Sequence, residues 1–394
     1  MNKSKQYVFF LGHAAELSRQ EIVLLFEQKD IAYQELSLGR EFFGVNLDLP
    51  LDIDQWQKRL GGTVKIGEVI MNLSNGTAQE QLTDFIIDLA KKNQDQKFKF
   101  ALSAFGFSAT KLFAWGLSIK KELKQLGITA RLIGAKTPQL SAVAAVKEGL
   151  VKAKTDFSVI NIRENWFLIK TLTIQDFEDY GKRDYGRPAI DSKSGMLPPK
   201  IAKILLNLLG LKTTDVFLDP FCGSGTILQE AILLGAKKVI GSDLSAKAVA
   251  DSEKNLAWLK NNYQDINWPT VDLRVSSAEK LNNLLSPNSI DKIAFEGYLG
   301  PAFRLNQEKE RALFRELDDL YCQTFKTLAI LLKSGGMIAA AVPIIAKQPV
   351  FNAAWFKTLP LKQIKLSSNS HGSVIYSRPG QRVEREIFLW SKSE

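Results

Sequence analysis

DPFCGSGT at residues 219–226 is the stretch that decides the fold of the second half of the chain. It follows a short apolar run at 216–218 and precedes an apolar helical pattern, so it connects a predicted strand to a predicted helix. Its two glycines let the backbone approach a ligand closely, and the first turn of the helix presents unpaired N–H groups. The spacing is neither G-x-G-x-x-G nor G-x-x-x-x-G-K-[ST], so it predicts neither a dinucleotide fingerprint nor a phosphate-binding loop.

The next predicted strand, KVIGSD at 238–243, ends on an acidic residue roughly 20 residues after the glycines. Ligands of open α/β sheets bind at the carboxyl ends of the strands. A carboxylate at that edge can accept hydrogen bonds from two ribose hydroxyls. Asp219, the glycine loop and Asp243 therefore predict a nucleoside-binding edge.

Strands and helices alternate from this point to the end of the chain. Further strands are predicted at 271–278, 290–297 and 337–345, and helices at 246–263 and 308–332. This alternation predicts a mostly parallel, doubly wound sheet. The final segment, 373–390, has Pro379-Gly380 between two strand-like runs, which predicts a hairpin and an antiparallel last strand.

The first half of the chain has the pattern of two smaller α/β regions. We expect an N-terminal subdomain at 1–95, a second region at 96–179, a linker at 180–199 and a C-terminal domain at 200–394. The segment 180–199 is polar and rich in glycine and proline, which is typical of a loop.

Amphipathic helices are predicted in these two regions at 16–28, 77–92, 110–127 and 139–154. In the first helix, Ser18 is followed three residues later by Glu21. This capping-box spacing predicts that the helix starts at Ser18.

Composition places the chain among ordinary globular proteins. It has 394 residues, of which 45% are hydrophobic and 24% are charged, which excludes a wholly disordered or collagen-like chain. Two cysteines and two histidines are too few for a disulfide framework or a Cys/His zinc site, so no metal is predicted. No apolar run is long enough to span a membrane, and the N-terminal run is too short for a signal peptide. We therefore expect a cytoplasmic protein without membrane contact.

Positive charge is concentrated in the middle of the chain. Residues 97–200 carry 18 basic and 9 acidic side chains, a net charge of +9 out of +10 for the whole chain. A compact basic segment attracts polyanions, of which nucleic acid is the commonest. A solvated basic surface without a partner is the alternative that charge alone leaves open.

DPFCGSGT followed by a strand-end aspartate resembles the S-adenosylmethionine site of class I methyltransferases, in the form typical of enzymes that methylate exocyclic amines of bases. The resemblance implies a C-terminal Rossmann-like methyltransferase domain with S-adenosylmethionine as its cofactor. Ser277 stands where that family often has an aspartate. The cofactor contacts that the resemblance implies are Asp219, Pro220, Phe221, Cys222, Gly223, Ser224, Gly225, Thr226, Asp243, Leu244, Ser277 and Ala278.

The chain upstream of this domain resembles the THUMP RNA-binding domain in the segments 117–133, 139–151 and 166–188. The segment 183–209, RDYGRPAIDSKSGMLPPKIAKILLNLL, is similar to the linker and first catalytic helix of the archaeal and eukaryotic tRNA guanosine N2-methyltransferases. This resemblance implies an N-terminal α/β THUMP-like region and tRNA as the partner. It also implies a small activator protein as a further partner, and it leaves the oligomeric state open.

The family carries Asp/Asn-Pro-Pro-Tyr/Phe at the end of the fourth strand, where this chain has FEGYLGP at 295–301. By the resemblance, Glu296 accepts the hydrogen bond from the base amine, Gly297 and Tyr298 replace the two prolines, and Leu299 replaces the aromatic residue. Tyr298 then stacks on the flipped base from the neighbouring position, with Gly300 and Pro301 completing the segment. The alternative is that Glu296 is only a polar residue at a strand end. A carboxylate there keeps amine methylation chemically feasible.

Basic residues of the linker and the final hairpin are candidate RNA contacts, namely Lys182, Arg183, Arg187, Lys193 and Arg378. Domain-interface contacts or a solvated turn are the alternatives for them. The sequence as a whole predicts a tRNA guanosine N2-methyltransferase. A DNA base-amine methyltransferase and a non-catalytic RNA-binding protein that retains the fold remain the other two hypotheses.

Overall fold

The computed structural model describes residues 4–93, 97–134, 139–190, 196–300, 306–378 and 383–393. Its strands are β1 (Lys5–Leu11), β2 (Gln34–Leu36), β3 (Phe42–Leu47), β4 (Thr63–Leu73), β5 (Phe98–Phe105), β6 (Ala130–Ile133), β7 (Asp156–Ile162), β8 (Asn165–Ile174), β9 (Val216–Asp219), β10 (Lys238–Asp243), β11 (Thr270–Val275), β12 (Ile290–Glu296), β13 (Leu332–Ile345), β14 (Gln348–Pro349), β15 (Leu361–Ile364), β16 (Val374–Tyr376) and β17 (Val383–Lys392).

The α-helices are α1 (Ala15–Gln28), α2 (Ile53–Arg59), α3 (Ala78–Lys92), α4 (Ala109–Gln125), α5 (Ala142–Lys147), α6 (Leu150–Ala153), α7 (Phe177–Tyr185), α8 (Pro199–Leu208), α9 (Thr226–Leu233), α10 (Ala246–Asn262) and α11 (Gln307–Leu331). Two short 3₁₀ helices cover Ala278–Asn283 and Ala353–Phe356. No described helix is both long and apolar enough to cross a bilayer.

The chain forms two compact units. The first unit consists of residues 1–15, 30–59 and 63–177, and the second of residues 16–29, 60–62 and 178–394.

The first unit is built on one eight-stranded sheet in the order β2-β3-β1-β4-β8-β7-β5-β6. Strands from both predicted N-terminal regions take part in it, because β4 pairs with β8 in antiparallel orientation. The segment β5-α4-β6 is a parallel crossover, and β7 returns beside β5. A core of aromatic and aliphatic side chains, which includes Phe100, Trp115 and Ile119, packs α3 and α4 on this sheet.

The predicted helix at 139–154 is divided in the structure. Gly149 adopts a left-handed backbone with φ +75° and separates α5 from α6. Glycine takes this conformation without the steric cost that other residues meet, so it ends the first helix.

The second unit holds the predicted doubly wound sheet, in the order β11-β10-β9-β12-β13-β17-β15. The first five strands are parallel, and β17 pairs with β13 in antiparallel orientation, as the hairpin pattern predicted. Helix α11 packs on this sheet through its apolar face, where the Phe325 ring lies 5.9 Å from Phe295 and 4.9 Å from Trp390. This sheet places the carboxyl ends of β9, β10 and β12 on one edge.

Helix α1 belongs to the second unit and starts earlier than predicted. It begins at Ala15, so the capping prediction for Ser18 was wrong, and Ser18 is a buried helix residue. The Glu21 carboxylate accepts the N–H groups of Gly61 at 2.8 Å and Gly62 at 2.9 Å, and it also accepts the Asn207 side-chain amide. These bonds attach α1 and the segment 60–62 to α8.

The linker prediction for 180–199 was wrong for its first part. Helix α7 extends to Tyr185, so the first six residues of the predicted loop are helical. An ion pair between Arg183 and Asp179, four residues apart, supports this helix.

Candidate functional site at the carboxyl edge of the parallel sheet

Three carboxylates meet at one edge of the second unit's sheet. Asp219 ends β9, Asp243 ends β10 and Glu296 ends β12, and these three strands are parallel neighbours. Burial raises the pKa of Asp219 well above its usual range, and the charges of Asp243 and Glu296 raise it further. The sheet therefore forms the acidic edge that the strand endings predicted.

The loop 219–226 is fixed by backbone hydrogen bonds to the neighbouring strand. The Cys222 N–H donates to the Ser242 carbonyl at 2.8 Å, and the Gly223 N–H donates to Asp243 Oδ2 at 3.0 Å. Gly223 and Gly225 have φ +51° and +84°, in the left-handed region that glycine tolerates best. The loop thus turns back over the end of β10 before α9 begins at Thr226.

Two side chains of helix α10, Ser252 and Asn255, hold this loop, and the sequence analysis did not identify them. Ser252 Oγ donates to the Gly223 carbonyl at 2.8 Å, and Asn255 Nδ2 donates to the Ser224 carbonyl at 2.8 Å. A Cβ on Gly225 would lie 2.9 Å from Ser252 Oγ, which leaves no room for a larger residue. The sequence offers one indication of their role, because Ser252 and Asn255 are polar residues on the same helix face as the apolar, buried Val249 and Leu256.

The edge fits a nucleoside. The space beside Gly223 is open, and Leu244 keeps 76% of its surface exposed directly after Asp243. Asp243 uses its two oxygens for the N–H groups of Gly223 and Ser245. Because a carboxylate offers about four acceptor positions, it can still accept two ribose hydroxyls.

The remaining predicted cofactor residues surround the same edge. Ser277 Oγ is buried without a hydrogen-bond partner among the described residues, and Ala278 is buried where the 3₁₀ helix begins. The Phe221 ring lies 5.4 Å from Phe295, and the Pro220 carbonyl accepts Ser242 Oγ at 3.2 Å. Ser277 and Ala278 thus lie together at the start of the 3₁₀ helix that follows β11.

Cys222 does not offer a nucleophile at this site. The side chain is buried, and burial together with the nearby Asp219 charge raises the pKa of its thiol far above the usual range. Because the thiolate is the reactive form, this cysteine is inert in the folded protein.

Glu296 and its neighbours form the second half of the site. Arg385 of β17 donates its Nε–H to Glu296 Oε1 in a buried ion pair. Tyr298 is 52% exposed beyond the strand end, and Gly300 has φ +81°. Pro301 lies outside the described residues. The structure thus brings Glu296 to the edge that Asp219 and Asp243 share.

Gly297 explains why proline is absent from this segment. A Cβ at Gly297 would lie 2.3 Å from Tyr321 Oη. The Tyr321 ring is fully buried and stacks on Trp355 with ring centroids 5.6 Å apart, so it cannot move aside. Only glycine fits between the strand end and α11.

Two of the predicted RNA contacts are buried inside the second unit. Arg183 Nε donates to Glu230 Oε1 at 2.5 Å, and Arg187 donates to Thr226 Oγ1 at 2.7 Å. Both arginines keep 2% of their surface, so their guanidinium groups cannot reach a phosphate. This corrects the prediction that Arg183 and Arg187 contact RNA, since both serve to hold α7 and the loop in place.

The other predicted RNA contacts keep that interpretation as an expectation. Lys182 is exposed on α7. Arg378 donates its Nε–H to Tyr376 Oη at 2.6 Å. Lys193 lies outside the described residues. Within the described ranges, no group of three His, Cys, Asp or Glu side chains is arranged to hold a metal ion.

Residues 187–287 match the family model described as an RMKL-like methyltransferase domain. The chain is 30% identical over 200 residues to a tRNA (guanine(10)-N2)-dimethyltransferase of Methanothermobacter thermautotrophicus, covering 50% of this chain and 53% of that protein. It is 28% identical over 225 residues to the protein of the same name from Methanocaldococcus jannaschii, covering 52% of this chain and 58% of the relative. This chain therefore spans about half the length of the curated relatives that it matches.

Solved structures resemble the whole chain at low sequence identity. TrmN from Thermus thermophilus superposes with a TM-score of 0.57 and 18% identity, covering 98% of this chain and 99% of that one. The structure of SMU.472 complexed with SAH gives a TM-score of 0.53 and 13% identity, covering 100% of both chains. These similarities confirm the predicted α/β fold, in which residues 187–287 match the methyltransferase-domain model.

Proposed function

We propose that this chain is an S-adenosylmethionine-dependent RNA methyltransferase that modifies the exocyclic N2 amine of a guanosine in tRNA. The observation that carries the proposal is the shared edge of Asp219, Asp243 and Glu296 beside the turn at Gly223. This edge combines a nucleoside site with a carboxylate that can hold an amine. The names of the relatives, which specify guanine 10 of tRNA, support the choice of base and of RNA.

In this proposal, the cofactor residues contact different parts of S-adenosylmethionine. Asp243 accepts the ribose hydroxyls, and Leu244 and Ala278 cover the adenine. The loop beginning at Asp219 faces the methionine end, and Ser277 flanks the adenine beside Ala278. When bound, S-adenosylmethionine would supply a methyl carbon whose bond to sulfur breaks as the guanine nitrogen bonds to it, with that electron pair going to sulfur and one amine proton going to solvent.

Glu296 and Tyr298 hold the acceptor base. The Glu296 carboxylate accepts a hydrogen bond from the N2 amine and thereby directs the nitrogen lone pair toward the methyl group. Tyr298, exposed at the strand end, stacks on the base once it has left the RNA helix. Alignment of the nitrogen with the methyl group supplies most of the rate gain, as expected for a bimolecular transfer between held partners.

The first unit is the proposed RNA-binding part. Its THUMP-like segments and the charge of residues 97–177, which carry 13 basic and 5 acidic side chains, suit recognition of tRNA by shape and phosphate charge. With tRNA as substrate, we also propose a cytoplasmic location. A small activator protein as a further partner stays a prediction.

The test is incubation of the purified chain with methyl-labelled S-adenosylmethionine and unmodified tRNA transcripts, followed by nucleoside analysis. We expect labelled N2-methylguanosine, and its loss in Glu296→Gln with tRNA affinity retained. Glu308→Gln, an exposed change in the first turn of α11, is the matched control and should keep full turnover.

Other outcomes separate the alternative hypotheses. Label that appears in duplex DNA rather than in tRNA would favour the DNA base-amine methyltransferase. A labelled nucleoside other than N2-methylguanosine would overturn the choice of guanine N2. RNA binding without label and without cofactor binding would leave the non-catalytic RNA-binding protein as the better hypothesis.

A further inference from the structure

Glu296 is held from inside the second unit by one residue of the last strand. Arg385 on β17 gives its Nε–H to Glu296 Oε1 although the two residues are 89 positions apart. The pairing of strands explains the meeting, because Glu296 lies beside Ala341 of β13 and Arg385 lies beside Pro343 of the same strand. The antiparallel last strand thereby brings a cation to the carboxyl edge of the parallel sheet.

The two members of this pair differ in access. The Glu296 side chain keeps 14% of its surface, whereas Arg385 keeps 3%. A ligand at the sheet edge can therefore touch the carboxylate but not the guanidinium. Any effect of Arg385 on a bound base must pass through Glu296.

We infer that Arg385 is a positioning residue for Glu296, fixing one carboxylate oxygen so that the other faces the donor edge of guanine. This inference rests on the proposed function. An ionised carboxylate only accepts hydrogen bonds. Guanine presents N1–H and N2–H donors side by side, whereas adenine presents one amine beside a lone pair. An ionised and oriented Glu296 therefore selects guanine.

Tyr376 supports the guanidinium from the neighbouring strand β16. Its ring centroid lies 6.0 Å from the Arg385 guanidinium carbon and 5.9 Å from that of Arg378. Strand pairing places Tyr376 directly beside Arg385. The arginine is therefore held by an aromatic face as well as by the carboxylate, which limits its rotation.

The charge state of Glu296 depends on four groups that face it from different elements. Burial raises the pKa of Glu296, and Arg385 and Arg378 oppose this rise. The Tyr321 hydroxyl on α11 and the Asp219 carboxyl at the end of β9 are the other titratable groups that interact with it. Removal of Arg385 takes away the nearest cation while burial remains, so the pKa of Glu296 must rise.

The experiment compares the pH dependence of tRNA methylation by the wild-type chain, Arg385→Met and Arg385→Lys. Turnover needs ionised Glu296, so activity falls as the pH drops through the pKa of Glu296. We expect the acid limb of Arg385→Met to move to higher pH by at least about one unit, which is tenfold in turnover on the limb. Arg385→Lys keeps a cation and should give a smaller shift, which maintains the test if the methionine variant fails to fold.

Lys333→Met is the matched control. Lys333 Nζ pairs with Asp291 Oδ1 at 2.8 Å, and these are the second residues of the strands β13 and β12. The change therefore breaks an ion pair on β12, the strand that carries Glu296, but at the opposite edge of the sheet. Its acid limb should coincide with that of the wild type.

The outcomes distinguish the two claims. A wild-type chain that methylates tRNA and an Arg385→Met variant whose acid limb is unmoved, or whose turnover falls equally at every pH, would overturn the positioning role alone. A wild-type chain that labels no tRNA would overturn the proposed function and the positioning role with it.

Discussion

Asn255 offers the sharpest test of how the cofactor loop is held. Its side chain is fully buried on α10 and makes three hydrogen bonds: Nδ2 donates to the carbonyls of Ser224 at 2.8 Å and Ala189 at 2.9 Å, and Oδ1 accepts the Ala189 N–H at 2.9 Å. Asn255→Leu keeps the size of the side chain and removes all three bonds.

The expected loss follows from the number of bonds. Each neutral hydrogen bond contributes about 0.5–1.5 kcal/mol, so Asn255→Leu should lower the free energy of unfolding by about 3 kcal/mol. For a domain of roughly 150–250 residues this corresponds to a fall in Tm of about 6–12 °C. Because the Ser224 carbonyl loses its anchor, we also expect roughly tenfold weaker binding of S-adenosylhomocysteine, equivalent to about 1.4 kcal/mol.

Thermal unfolding and calorimetric titration measure the two effects. Asn262→Leu is the control on the same helix, where the amide makes one exposed hydrogen bond, to the Trp258 carbonyl at 2.9 Å. This control should change stability by less than about 0.5 kcal/mol and leave cofactor affinity unchanged. A Tm for Asn255→Leu within about 2 °C of the wild type would refute the reasoning, because it would mean that the three bonds contribute no net stability.

Three further predictions concern packing, the buried arginine and the thiol. Gly297→Ala places a Cβ 2.3 Å from Tyr321 Oη, and we expect it to lower the free energy of unfolding in urea by about 1–3 kcal/mol. Adding Tyr321→Phe to this variant should restore only part of the lost stability, because the ring carbon Cζ would still lie 2.7 Å from the new Cβ. Arg183→Met deprives buried Glu230 of its closest cation, so we expect the free energy of unfolding to fall by about 3–5 kcal/mol. Filter binding should show unchanged tRNA affinity for the folded protein. Weaker tRNA binding at unchanged stability would instead identify Arg183 as an RNA contact. Cys222 should resist iodoacetamide in the native protein and react on unfolding, and rapid native labelling mapped by mass spectrometry would contradict its burial.

The site was predictable from sequence where its geometry follows from neighbouring residues. Asp219, Asp243 and Glu296 each end a short apolar run, and parallel strands bring such endings to one edge. The glycine loop was equally visible, because its left-handed residues must be glycines. These features need no knowledge of distant partners.

Partners that come together only through packing were not predictable. Asn255 reaches Ser224 from 31 residues away, and Arg385 reaches Glu296 from 89 residues away. The local sequence around Asn255 or Arg385 gives no indication of which residue the side chain contacts. Arg183 misled the prediction for the same reason, since a basic residue in a polar segment is typical of a nucleic-acid contact until its buried partner Glu230 is known.

Strand β4 shows a different limit of pattern analysis. It lies between β1 and β8 in the first unit's sheet, yet the register with β8 shifts between Ile66 and Gly67 and again between Val69 and Met71. The first shift leaves an extra residue in β8, and the second leaves the extra residue Ile70 in β4. An extra residue moves the later side chains of its strand to the other face, so β4 does not keep one alternation of period two along its whole length.

The Glu296–Arg385 pair also bears on the choice between an enzyme and a protein that merely retains the fold. A buried ion pair gains little stability over apolar residues of similar volume, because both ions lose their hydration. Packing alone therefore gives little reason to place a carboxylate and a guanidinium at this strand end, where Glu296 keeps 14% of its surface, unlike the Glu230 that Arg183 pairs with inside the second unit. A site that must present an ionised acceptor to a base amine does give one, because only a paired carboxylate stays charged when it is buried. The pair thus favours the methyltransferase over the non-catalytic RNA-binding protein.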